Sequence, residues 1–249
     1  MSPAPLTVVT GGTRGIGAAT AARLARAGHD LVLAYAHDED GAREVAGRLR
    51  REGVSCDAVR ADVADPADVD VLFAAVAERG LLTGLVNNAG ATLHLGDLAD
   101  TPVDVIGSVI AMNLTGAVLC ARAAVRAMSI TRGGGGGVIV NVSSAAATLG
   151  AAHEYVHYAA AKAGVDALTM GLAQEVAREG IRVNGVAPGI VATGIHADAG
   201  DPGRPDRVGP LVPLGRVGEP DEVAAAITWL IGDDCPYLTG ATLRVAGGR

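Results

Sequence analysis

The sequence predicts an α/β chain built on a parallel sheet, on three observations. Seven short runs rich in β-branched residues recur along it, stretches of helical length separate them, and a glycine-rich turn directly follows the first run. Parallel strands need crossovers of a dozen or more residues, which a helix supplies. The runs are LTVVT (6–10), DLVLAY (30–35), SCDAVRADV (55–63), GLVNNAG (84–90), GVIVNVSS (137–144), IRVNGVAPG (181–189) and ATLRVAG (241–247). Helices are expected at 15–28, 40–52, 66–79, 104–128 and 155–179. Alternation of this kind is doubly wound, with helices on both faces of the sheet.

Composition supports a large core. Of 249 residues, 49% are hydrophobic, which excludes disorder as the overall state. Only six are aromatic, so Ala, Val and Gly fill the interior, a mix that suits buried parallel strands. No shift in composition or polar linker divides the chain, and one domain over 1–249 is expected. A net charge of −7 argues against nucleic acid as a partner, because that affinity depends on a basic surface. The N-terminal stretch lacks a basic segment followed by an apolar one, and no apolar run reaches spanning length. A soluble cytoplasmic protein with no membrane contact is therefore expected. Cys56, Cys120 and Cys235 lie far apart without CxxC spacing, so buried free thiols are expected, and no metal site.

Two irregular stretches stand out. The run Gly133 to Gly137 precedes a strand and is read as a flexible surface connection. Residues 188–220 are dense in Gly and Pro and exceed the usual loop length, so a lid over a site is expected at about 190–215.

The turn TGGTRGIG (10–17) sets Gly11, Gly15 and Gly17 at the first strand-to-helix junction. Glycines there allow a tight turn and let backbone N–H groups approach a pyrophosphate, which rests on the positive helix N-terminus. No GK[ST] follows, which speaks against a nucleoside-triphosphate loop.

The stretch EYVHYAAAKAG (154–164) holds Tyr155, Tyr158 and Lys162, the only lysine of the chain. Tyr158 and Lys162 are four apart and share one helix face. Tyr155 lies about 10 Å from Lys162 along the axis, so only Tyr158 reaches the ammonium. A lysine ammonium beside a phenol favours the phenolate and lowers a pKa ordinarily near 10, moving it toward acid–base work at neutral pH. Ser143 and Ser144 point to opposite sides of an extended chain.

With NNAG (87–90), MNLTG (112–116), VNVSS (140–144), YAAAK (158–162) and APG (187–189) following the glycine loop in order, the chain resembles the short-chain dehydrogenase/reductase family from Leu6 to Gly248. The resemblance implies a Rossmann-like, doubly wound, seven-stranded parallel sheet. It implies an NADP(H)-dependent oxidoreductase that reduces a carbonyl to a secondary alcohol, or runs the reverse. Tyr158 would be the general acid/base, Lys162 would also hold the nicotinamide ribose, Ser144 would hydrogen-bond the carbonyl, and Asn113 would anchor a water relay to Lys162. On the cofactor side it implies Gly11, Thr13, Arg14, Gly15, Ile16 and Gly17 around the pyrophosphate, and Asp62 and Val63 beside the adenine. Asn88, Ala89 and Gly90 would line the channel, and Pro188, Gly189, Val191 and Thr193 would hold the nicotinamide.

The second strand ends in LAYAH, with Tyr35 where an NAD-type acid would stand. Arg14 is the basic residue that meets the 2′-phosphate in NADP-type relatives, and His37 would add a contact. NADP(H) is favoured over NAD(H), although Asp38 and Glu39 follow closely.

The substrate pocket is expected from segments 91–98, 145–157 and 190–212, offering His94, Leu95, His153, Glu154, Tyr155 and His196. That mix is polar enough for a sugar and aliphatic enough for a keto ester. One more residue separates Ser144 from Tyr158 than in many family members, which reshapes the pocket wall. By resemblance the small-molecule substrate is that of a sugar dehydrogenase or of a 3-oxoacyl-carrier-protein reductase, the latter needing a basic docking patch from residues such as Arg132 and Arg178. A non-catalytic NADP-sensing protein is the remaining reading, and the filled catalytic positions speak against it. A homotetramer is implied as well, with the helices around 104–128 and 155–179 packed on copies of themselves.

Overall fold

The computed structural model describes residues 4–249. Residues 1–3, part of the expected domain and of the N-terminal stretch, lie outside the described residues. The chain alternates β1 (Leu6–Thr10), α1 (Gly15–Arg26), β2 (Asp30–Tyr35), α2 (Glu39–Arg51), β3 (Cys56–Arg60), α3 (Pro66–Ala77) and β4 (Leu82–Asn87). It continues through α4 (Val103–Ile110), α5 (Gly116–Met128), β5 (Gly137–Val142), α6 (Ala146–Leu149), α7 (Val156–Val176) and β6 (Ile181–Pro188). Last come α8 (Ile195–Asp198), α9 (Arg204–Val208), α10 (Pro220–Ile231) and β7 (Thr242–Val245).

The seven strands form one sheet in the order β3-β2-β1-β4-β5-β6-β7, and every neighbouring pair is parallel. Winding reverses between β1 and β4, and ligands of such sheets bind outside the carboxyl ends of the strands at that switch point. Side chains of alternate parity divide the core. Val9, Leu33 and Val140 pack with Leu24 of α1, Leu49 of α2 and Ile227 of α10. Val8, Leu85 and Ile139 pack with Leu72 of α3, Met128 of α5 and Val176 of α7 on the other face. Burying each such side chain contributes about 1.5–3 kcal/mol. The three cysteines are free and buried. Burial pushes the Cys56 thiol up to about 11 and that of Cys120 to about 12, so neither is a thiolate at neutral pH.

Three stretches differ from the sequence reading. The expected helix at 104–128 is interrupted by a five-residue π turn, Ala111–Thr115, because Asn113 bonds back into it: its Nδ2 donates to the carbonyls of Val109 (2.9 Å) and Ala91 (2.8 Å). Counted as one helix, Val103–Met128 is long and apolar enough by length and composition to cross a membrane, against the expectation that no segment is. The glycine run is not slack either. Gly134 N donates to Ser129 O and Gly136 N to Met128 O (2.9 and 2.7 Å), and a Cβ at Gly134 would stand 2.4 Å from the Met128 carbonyl, so only glycine fits the turn. Finally, residues 190–215 contain α8, α9 and a 3-10 turn, Gly209–Leu211, fastened by a bridge between Val191 and Gly218.

Candidate active site

The glycine loop leaves β1 at Thr10 and enters α1 at Gly15. Gly11 (φ +60°) and Gly15 (φ +52°) lie in the left-handed region, which a side chain disfavours. Gly17 is required by close approach: a Cβ there would stand 2.1 Å from the Gly11 carbonyl oxygen and 2.6 Å from Asn88 Nδ2. That amide donates to the carbonyls of Thr10 (3.0 Å) and Gly11 (3.1 Å), while Thr10 Oγ1 accepts from Asn88 N and Ala89 N (2.9 and 3.1 Å). The ends of β1 and β4 are thus held together. No side chain caps α1 and no acid stands in its first turn, which suits an anionic ligand at its N-terminus.

Above the strand ends lies a cavity of about 710 Å³. Every residue expected on the cofactor side lines it except Gly17, which packs behind the loop. At the end of β2, Asp38 spends its carboxylate capping α2, accepting from Gly41 N at 3.0 Å. Arg14 Nη1 pairs with Asp198 Oδ2 at 2.7 Å. A glycine loop without bulk and an uncapped helix start together fit the pyrophosphate of a dinucleotide.

Tyr158 and Lys162 are both buried on α7. The expected direct contact between phenol and ammonium is replaced by a looser one. Lys162 Nζ lies 5.7 Å from the Tyr158 ring centroid and donates instead to the Val142 carbonyl at 2.9 Å. Burial pushes Lys162 down to about 8, opposed by Asp166. Burial also raises Tyr158 well above the ordinary phenol value, with the Ser144 hydroxyl opposing. Desolvation, and not the lysine, dominates the tyrosine in place of the anticipated lowering, and the phenol stays protonated at neutral pH.

The two serines face apart. Ser144 Oγ accepts from Ala146 N at 3.1 Å, next to Tyr158, whereas Ser143 Oγ donates to the Lys162 carbonyl at 3.2 Å. Asn113 is buried beneath the cavity, not on its wall, and its Oδ1 has no partner among the described residues. A Cβ at Gly90 would lie 2.5 Å from that oxygen and 3.3 Å from Lys162 Nζ, so the missing side chain keeps the space between them open.

At the other end of the cavity the structure brings together Leu95, Glu154, Tyr155 and His196. It leaves out His94 and His153: the former is turned against Gly96, and the latter is exposed and paired with Asp97 Oδ1 at 2.7 Å. His196 Nε2 bonds the Val191 carbonyl at 3.1 Å, and burial lowers its pKa. Neither Arg132 nor Arg178 lines the cavity.

Two residues here escaped the sequence reading. Arg204 of α9 is 2% exposed, pairs with Glu154 Oε2 at 2.7 Å and sits over the Tyr155 ring, its Cζ 4.8 Å from the centroid. Arg249 also lines the cavity. The flanking prolines near Arg204 were the only local signal, and they do not tell it from Arg207, which is exposed and bonded to Asp201.

Residues 11–249 match the family model described as Enoyl-(Acyl carrier protein) reductase. The chain is 43% identical to the uncharacterized oxidoreductase YgfF of Escherichia coli, over 98% of this chain and 99% of the relative. It is 38% identical to an L-rhamnose 1-dehydrogenase (NAD(P)(+)) of Sphingomonas sp., over 97% of this chain and 94% of the relative. A short chain dehydrogenase from Burkholderia cenocepacia, solved in complex with NADP, superposes with a TM-score of 0.90 at 34% identity, covering 98% of this chain and 97% of that one.

Proposed function

The chain belongs to the short-chain dehydrogenase/reductase family of oxidoreductases, and from that premise we propose that it transfers hydride between NADP(H) and a carbonyl or secondary alcohol, with Tyr158 as general acid/base. The observation that carries this reading is the grouping of Ser144, Tyr158 and Lys162 on one cavity wall, with Asn113 just beneath, while the glycine loop and Arg14 form the far end.

The bound cofactor supplies or accepts the hydride. Tyr158, protonated at neutral pH, gives its hydroxyl proton to the carbonyl oxygen in reduction and takes it back in oxidation. Ser144 Oγ donates to the same oxygen as negative charge develops there. Lys162 Nζ holds the nicotinamide ribose and passes a proton toward Tyr158. The unpartnered Asn113 Oδ1 accepts from a water that relays to Lys162 across the gap at Gly90.

NADP(H) is preferred in this reading because Arg14, held only by an exposed pair with Asp198, would gain a stronger partner in a 2′-phosphate, and Asp38 at the end of β2 is engaged in capping α2. Pro188, Gly189, Val191 and Thr193 would hold the nicotinamide and Asp62 and Val63 would flank the adenine, and all six line the cavity. For the substrate, the rhamnose relative supports a sugar and the family description supports an acyl thioester. A purely NADP-sensing role has no observation in its favour.

We read residues 1–249 as one domain, supported by the single sheet with core on both faces. A homotetramer is supported by the apolar surface of the long helices: Val103 is 85% exposed and Met170 56%, and a second cleft of about 360 Å³ runs between α5 and α7, lined by Val118, Val125, Leu168 and Leu172 together with Arg122, Arg126, Arg132 and Glu175. Association of these faces would bury the apolar surface of Val103–Met128 without a bilayer.

The test is a panel of carbonyl and alcohol substrates followed by NADPH and NADH absorbance in parallel, with Tyr158→Phe as control. Binding of NADPH without turnover of any substrate would replace this reading by the sensor.

A further inference from the structure

Arg204 heads the largest fully buried side chains among the described residues, and the reaction assigned above does not use it. A guanidinium carries five donors and keeps its charge. Removing it from water costs several kcal/mol unless close partners satisfy it. Here the satisfaction is partial. Nη2 has Glu154 Oε2 at 2.7 Å, but that carboxylate is 34% exposed, and Nε is buried with no acceptor among the described residues. Arg207, three residues on, shows the contrast: both its terminal nitrogens bond the two oxygens of Asp201, at 2.8 and 2.6 Å, on the surface.

The position is as telling as the burial. Arg204 lines the same cavity as Tyr158. Its Cζ stands 4.8 Å from the Tyr155 ring, whose edge-on neighbour at 5.3 Å is the Tyr158 ring. One aromatic ring therefore separates the buried cation from the proton donor. Arg249 lines the cavity near Tyr155, and His196 lies close by with its charged form disfavoured by burial. Asp198 is paired with Arg14 and Asp201 with Arg207, which leaves Glu154 as the carboxylate bonded to Arg204.

We propose that this end of the cavity is an anion subsite and that the substrate carries a carboxylate, bound by Arg204 with Arg249 at the mouth, while its carbonyl or carbinol group lies at Tyr158. Arg204 keeps a donor that Glu154 does not satisfy, and the planar fork of arginine matches a carboxylate in two-point contact. With Glu154 already on Nη2, a phosphate dianion would meet more repulsion there than a carboxylate. The proposal rests on the oxidoreductase reading for the identity of the reacting end, but the subsite itself is testable without turnover.

The experiment is titration calorimetry of the NADP⁺-loaded enzyme with benzoate, benzamide and inorganic phosphate. Benzoate should bind about tenfold or more tighter than benzamide, the difference expected of a charge-assisted contact. Arg204→Gln should abolish that preference, Arg204→Lys should keep part of it, and Arg249→Gln should reduce it. Should Arg204→Gln fail to fold, the wild-type comparison and Arg249→Gln decide. Equal binding of acid and amide, tighter binding of phosphate than of benzoate, or an undiminished preference in a folded Arg204→Gln would overturn the subsite.

A kinetic arm separates the two readings. With NADPH, 4-oxopentanoate should show a kcat/KM about tenfold above its methyl ester, mainly through KM. Reduction of ester and acid alike, with no selective benzoate binding, removes the subsite and leaves the oxidoreductase standing. Selective, Arg204-dependent benzoate binding with no carbonyl reduced does the reverse.

Discussion

Arg14 Nη1 lies 2.7 Å from Asp198 Oδ2, so an ion pair ties the glycine loop to α8 across the mouth of the cavity. Both side chains are well exposed, at 70% and 42%, and such pairs contribute no more than about 1 kcal/mol. A 2′-phosphate is a stronger partner for the same guanidinium. Arg14→Ala should raise the KM for NADPH about tenfold or more while changing that for NADH little. Asp198→Asn should move NADPH the other way by freeing Arg14. Initial rates with the two cofactors check both, and an equal effect on NADH would contradict the assignment.

Removing the proton donor should leave cofactor binding intact. Tyr158→Phe is expected to lower kcat by about 10²–10⁴-fold or more, with NADPH affinity by fluorescence near wild type. The ring packing against Tyr155 is retained, so a loss of fold is not expected.

Lys162 sets a pH limb. Its ammonium is held near 8, charged below that value and neutral above. If the charge serves the reaction, kcat/KM for reduction falls as pH rises through about 8, and Lys162→Arg, which stays protonated, moves that limb to higher pH. The same depression has a sign for stability. Between about 8 and 10.5 the unfolded chain binds the proton that the folded one does not, so this residue makes stability rise with pH across that window. Lys162→Met should flatten the slope in denaturant titrations.

Glycine positions offer a paired test. Gly17→Ala puts a methyl 2.1 Å from the Gly11 carbonyl and should cost about 1–3 kcal/mol while weakening NADPH binding. Gly47→Ala, inside α2 with its nearest neighbour at 3.9 Å, should stabilise by about 0.5–1 kcal/mol and leave binding alone. Thermal melts with and without NADPH distinguish the two.

Light scattering addresses assembly. A mass near four chains is expected, and a monomer at micromolar concentration would refute the tetramer. Val118→Asp, placed in the cleft between α5 and α7, should shift the mass downward.

Much of this architecture is written locally. The strands are short β-branched runs with the hydrophobic faces a buried sheet requires, and each starts within two residues of expectation. The far end of β3 is less well marked: it stops at Arg60 where the expected run continued to 63, since pairing with β2 ends at Tyr35. Site residues tied to backbone demands were legible too, because a glycine at a positive φ or under a carbonyl leaves its mark in residue type. The π turn was not: nothing in MNLTG distinguishes an asparagine that bonds back into its helix from one facing water. Arg204 was hidden for a related reason. Its role arises from Glu154 and Tyr155, fifty and forty-nine positions away, and no local pattern encodes that meeting.

The scarcity of lysine has a practical side. Lys162 is the only side-chain amine in the chain, it is 4% exposed at the floor of the cavity, and near pH 8 much of it is unprotonated. An amine-selective acylating reagent small enough to enter would therefore mark a single side chain, and the extent of labelling would count how many cavities are open. Ligands that fill the cavity would register as protection, whatever their absorbance or their fate, so occupancy can be read by mass spectrometry before any substrate is known.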